Sequence, residues 1–311
     1  MKYIRKLLVL SLMGSLAFSV VAQEKSTLKI DNVLKNKKFQ EDMRISDNEI
    51  KAQAGSLSRY SMKFDLSYQG PPVGQLADPE MPNPDNRPRD NRTSLSGYTG
   101  LRYRMDSNSA VNASTGLKWY TPYQHMIGEK VQKRRNSKDF ELANPGLGYD
   151  RTFVWLGTQF RSSLGGSVTT QEYYLDRGQR GSLGLGTSFK HNVFNSRWIV
   201  GLIYNFDLYG YNRAYEKTDS RVSRYYQSFI PTLEYKILDS LNFKYSVAYS
   251  YANLRRDPRT HVWDSVEPMA RIGVGWAISR DVYFNPYLNF FSEHPAWAST
   301  SLSFSTVFSI L

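Results

Sequence analysis

The chain has 311 residues, no cysteine, 22 tyrosines and a formal net charge of +12. Without cysteine there is neither a disulfide scaffold nor a lipidated residue behind a leader. Beyond the first residues no apolar run approaches the roughly 20 residues of a spanning helix, which excludes a helical membrane protein although the average hydropathy looks soluble.

Lys2, Arg5 and Lys6 precede an apolar run from Leu7 to Val21, and Val20-Val21-Ala22 offers small or modest side chains before Gln23. This is the pattern of a cleaved secretory signal peptide over 1–22. Removing it leaves nine of the twelve excess positive charges. A pI near 9.6 is one mark of a nucleic-acid binder, but export and the spreading of charge along the chain argue against that partner.

Residues 23–57 are charged and lack alternation, with weak helical spacing at Leu28, Val33 and Leu34. Ser46-x-x-Glu49 resembles a capping box ahead of a short helix. The segment reads as a flexible periplasmic lead-in, with a plug folded into or under the following domain as the alternative.

From 58 to 311 the period is two. Leu241, Phe243, Tyr245, Val247, Tyr249 and Tyr251 share one face, and Asn242, Lys244, Ser246, Ala248 and Ser250 the other. Residues 298–310 repeat the pattern, with serines on the second face. Elsewhere that face carries Ser182, Gly184, Gly186, Ser188, Gly273 and Gly275, small groups suited to a confined, wet interior. Long aromatic outer faces suit lipid, and only a closed sheet leaves no unpaired edge there. The expected fold is an all-β transmembrane antiparallel barrel. Its twelve strands fall near 58–69, 92–105, 109–121, 140–153, 158–172, 179–191, 196–211, 223–238, 240–254, 264–278, 281–291 and 297–311, with ten or fourteen as alternatives. Long or charged connections at 71–91, 122–139, 212–222 and 255–263 contrast with tight turns at 106–108, 239 and 279–280, as outer loops contrast with periplasmic turns.

Pointing the apolar face outward assigns a lumen lining. Its basic members are Lys63, Arg102, Arg104, Lys118, Arg161, Lys190, Lys236, Lys244 and Arg271; its acidic members are Asp65, Asp150, Asp207, Glu234 and Glu267. A basic surplus favours anions in a pore, and charge pairs that brace the wall are the other reading. Arg102, Arg104 and Lys118 are expected to form one positive patch.

An enzyme would need a nucleophile or water activator near an oriented histidine. His261 with Asp264 and Glu293 with His294 are the local acid–histidine pairs, neither within a larger constellation, and His125 and His191 stand apart. The His-x-Ser-Asn-Gly run of outer-membrane phospholipases is missing, as are a metal-ligand cluster and a phosphate loop. No catalytic residue, cofactor or metal is assigned.

By strand count, alternation and polar lumen, 58–311 resembles the twelve-stranded bacterial outer-membrane porins, which include anion-selective oligosaccharide channels. Phe304, Val307 and Phe308 look like the aromatic C-terminal signal read by the barrel-assembly machinery, with Leu311 where that family usually ends in Phe. The resemblance implies a Gram-negative outer membrane, lipid and lipopolysaccharide as neighbours, and passive diffusion of small polar or anionic solutes. A closed barrel that presents its loops to partners is the alternative.

Overall fold

The computed structural model describes residues 45–83, 91–127, 139–214, 216, 222–255, 263–292 and 295–310. The proposed signal peptide, most of the lead-in, His261 and His294 lie outside this set.

Twelve strands form one closed antiparallel barrel in which each pairs with its sequence neighbours and the last returns to the first. They are β1 (Tyr60–Gln69), β2 (Ser94–Arg104), β3 (Ser109–Tyr120), β4 (Phe140–Trp155), β5 (Thr158–Val168), β6 (Gln179–Asn192), β7 (Trp198–Tyr211), β8 (Ser223–Leu238), β9 (Leu241–Leu254), β10 (Trp263–Ser279), β11 (Val282–Phe291) and β12 (Thr300–Ile310). Short helices are α1 (Asn48–Ala54), ahead of the barrel, and α2 (Pro122–Ile127) and α3 (Glu172–Leu175), in connections. The expected strand count and order hold. One end of the barrel has the short connections 105–108, 156–157, 193–197, 239–240 and 280–281, and the other has all the long ones.

The faces follow from the period of two. Leu147, Leu164 and Leu183 point outward and are each more than half exposed, a cost in water but not in hydrocarbon. At the turn end, Tyr60 lies 5.3 Å from Tyr103 and Trp198 4.9 Å from Tyr235, ring to ring, beside the exposed Trp155 and Trp276. Such an aromatic girdle marks a membrane interface. The inward face is polar or small. Gly275 leaves room for Tyr283 and Asn242, and Gly184 for Asp207.

Two of the register shifts in the sheet bear on the expected lining. Between Ser114 and Gly116 the β3–β4 register shifts, and Asn144 on β4 has φ 53°. β4 therefore continues through Asn144-Pro145, and Glu141 comes opposite Lys118 on the inner face. On β10 the register shifts between Val266 and Met269. Counting in twos from Arg271 therefore fails at Glu267: beyond the bulge it is Val266 that pairs with Ser250, and the side chains of both Val266 and Glu267 lie outside the described set.

Candidate functional site

The turn end of the lumen is occupied by α1. Asp47 is its N-cap and accepts a hydrogen bond from Ile50 N at 2.9 Å; Gly55, at φ 75°, ends it with its N–H on Ala52 O. The expected Ser46–Glu49 capping box is therefore corrected to an Asp47 cap, and Ser46 and Glu49 turn to the wall instead. Seven residues are too few for a stable isolated helix, so the wall must hold it. Ile50 and Ala52 are buried, and Ala52 packs with Tyr283 and Val307. Residues 45–57 of the segment thus lie within the barrel end, while 23–44 lie outside the described residues.

The polar contacts come from around the barrel. Gln159 Oε1 on β5 accepts from Ser46 N and Asp47 N, both at 2.8 Å. Asn48 donates to Asp239 O at 2.6 Å, and Lys63 Nζ to Gln53 O at 2.7 Å. Arg280 donates to the carbonyls of Lys51 and Gly55, and Arg102 to Ser56 O at 3.2 Å.

At the centre lies a buried ion cluster. Lys190 Nζ on β6 sits 2.6 Å from Glu49, 3.1 Å from Asp47 and 2.8 Å from Glu234. Lys244 Nζ on β9 reaches the same Glu49 oxygen at 2.6 Å and lies 3.9 Å from Glu234, whose side chain is 0% exposed. Burial alone would raise the Glu49 carboxyl, but the two lysines outweigh it and hold it well below the usual carboxylate range. Removing one partner of such a cluster leaves a buried charge uncompensated, at a cost of about 3–5 kcal/mol. Between helix and wall lie two small spaces, one beside Arg102, Arg104 and Thr152 and one beside Lys236 and Tyr283, each about 20 Å³, room for one water.

Toward the loop end the lumen widens into a cavity of about 860 Å³. It runs from Gln171 and Gln179 to Lys63, Asp150 and Arg161, next to α1. Lys118, Asp65 and Asp207 also line it, with Glu141, Tyr98, Tyr209 and Tyr226, which the sequence reading did not assign. Asp150 pairs with Arg161, and Lys118 lies 4.6 Å from the Tyr120 ring centre. Arg271, elsewhere on the inner wall, contacts Asn289 and the Tyr287 ring.

The wall is thus divided. Most of the expected basic lining, Lys63, Arg102, Arg104, Lys190 and Lys244, is engaged by α1 or the residues flanking it, while the open cavity has mixed charge. The expected Arg102–Arg104–Lys118 patch does not form. Arg102 pairs with Asn112 and Lys118 with Ser96, which places Lys118 six residues along β3, roughly 20 Å away at about 3.4 Å per residue. His191, the histidine whose side chain is described, faces outward and meets Thr158 Oγ1 at 3.0 Å. Among the described residues no cluster of metal-ligating side chains occurs.

No protein-family model matches the chain, and no curated protein matches it. The solved structures to which the chain is similar include outer-membrane porins and channels. Among solved structures, an outer-membrane channel from Pseudomonas putida F1 is 9% identical, with 83% of this chain and 98% of that one covered and a TM-score of 0.48. The NanC porin is 8% identical, with 79% and 99% covered and a TM-score of 0.43. The KdgM porin in complex with disordered oligogalacturonate is 7% identical, with 81% and 99% covered and a TM-score of 0.42. At such identities the likeness concerns the barrel alone.

Proposed function

We propose that this protein is an outer-membrane, porin-like channel for small polar solutes, with its turn end toward the periplasm and closed at rest by α1. The polar cavity of about 860 Å³, ending on a helix held by side chains from around the wall, carries the reading. A purely structural barrel gains nothing from inner strands of glycine and serine that keep so large a space open. The exposed apolar exterior supports a lipid environment, and the aromatic outer face of β12 supports recognition by the assembly machinery.

A closed interaction barrel is the second reading, favoured by the contacts from around the wall that hold α1 in the turn end. Single-channel recording in a planar bilayer separates the two. The channel reading expects a mostly closed parent with brief openings, and sustained conductance in Glu49→Gln. Folded protein that passes no current in either form supports the closed barrel.

A further inference from the structure

The wall beneath α1 is a basic patch in its own right. Lys190 and Lys244 converge from β6 and β9 on the start of the helix, and Lys63, Arg102, Arg104 and Arg280 reach its C-terminal half and the residues after it. The wall's own carboxylates here are Glu234 between the lysines, Asp281 beside Arg280, and Asp65 and Asp150 toward Lys63 and Arg102. The α1 segment adds the carboxylates of Asp47 and Glu49, and the carbonyls of Lys51, Gln53, Gly55 and Ser56.

Glu49 is held as a protein holds a bound carboxylate. Two ammonium groups from different strands converge on one oxygen, both at 2.6 Å, in a largely buried site. With α1 docked, three carboxylates face the two lysines; with α1 gone, Glu234 alone faces them. An undocked helix thus takes two of three counter-charges from the lysines, which water or another anion must then meet. Undocking becomes accessible when another anion takes the place of Glu49.

We propose that Lys190 and Lys244 form a carboxylate-binding site which Glu49 fills as an internal stand-in, and that a small carboxylate-bearing solute displaces Glu49 and releases α1. This deepens the channel reading and rests on it for its physiological meaning. α1 is then an autoinhibitory segment competing with the solute class that the channel passes. A ligand that binds only the undocked state shifts the population by its differential affinity for that state.

The test uses the full chain in lipid, with succinate as probe and chloride at matched ionic strength as control. Hydrogen–deuterium exchange at the amides of Ile50–Ala54 reads docking in the unsubstituted protein. The sequence has no cysteine, so Ala52→Cys, buried against Tyr283 and Val307, gives a second reading through its labelling by uncharged N-ethylmaleimide. Succinate should raise both rates saturably and chloride should not. Glu49→Gln should raise them without succinate by about a hundredfold or more, the scale of removing one partner of a buried ion pair. Lys244→Gln should abolish the succinate response. Equal effects of succinate and chloride, or a Glu49→Gln helix protected as well as the parent's, would overturn the proposal. If Ala52→Cys does not fold, exchange in the unsubstituted protein decides. Neither measurement needs current, so a succinate response without conductance defeats the channel reading and leaves the binding site standing.

Discussion

Glu49 and Lys244 stand 195 residues apart in the chain and meet at 2.6 Å inside the barrel, where the same carboxylate also takes Lys190 at 2.6 Å. One short helix is thereby tied to strands on both sides of Glu234 and held in the turn end of the lumen. Proposed gating, expected pH behaviour and hidden basic lining all follow from this contact.

The two faces of a strand should respond in opposite ways to the same substitution. Leu164 on β5 points into lipid and is 59% exposed, whereas its neighbour Ser163 lines the cavity. Leu164→Arg places a cation in the apolar band and should cost about 2–4 kcal/mol if near the midplane. Ser163→Arg, close to Asp150, should fold as well as the parent. Heat-modifiable gel migration after refolding reads both, and equal folding yields would show that the faces are assigned wrongly.

Gly275 tests the support under the helix. A methyl group there would overlap Tyr283 Oη and Asn242 Oδ1, and Tyr283 is the ring on which Ala52 rests. Gly275→Ala should destabilise the barrel by about 1–3 kcal/mol, as overpacking does, and loosen α1. Gly74→Ala, with no atom within 4 Å of the added group, is the neutral control. Urea unfolding monitored by tryptophan fluorescence compares them, and equal midpoints would contradict the packing.

Acid should not open the helix easily. The Glu49 carboxyl is held below its ordinary value, burial being outweighed by Lys190 and Lys244. Its ionised form therefore stabilises docking at every pH above the ordinary glutamate value, about 4.3, and this contribution is lost only as pH falls through the lowered value. Bilayer recordings should show the resting closed state persisting at about pH 4. An opening midpoint between about pH 4 and 5, where a free glutamate titrates, would contradict the two-lysine contact.

The barrel was legible because its signal is local and repeated. Leu241, Phe243, Tyr245 and Val247 against Asn242, Lys244 and Ser246 give one strand's faces without knowledge of any other strand. The plug was not legible for the opposite reason. Ser46 finds Gln159 at a separation of 113 residues and Glu49 finds Lys190 at 141, so no window of sequence contains the pairs. Glu141 was missed because the bulge at Asn144 reverses the count on β4, and Tyr98, Tyr209 and Tyr226 because aromatics were assigned to lipid. The basic residues were visible, but the register that separates Lys118 from Arg102 was not.

Whether α1 gates the lumen is tested most directly by tethering it. Ser46 and Gln159 already meet, Ser46 Oγ accepting from Gln159 Nε2 at 3.0 Å, so Ser46→Cys with Gln159→Cys in the Glu49→Gln background would pin the helix start to β5 through one disulfide. The measurement is the conductance of a single reconstituted channel before and after reductant. A gating helix predicts a closed oxidised channel that opens to sustained conductance once the bond is reduced and closes again on reoxidation. Equal conductance in both states would show that α1 does not control the path.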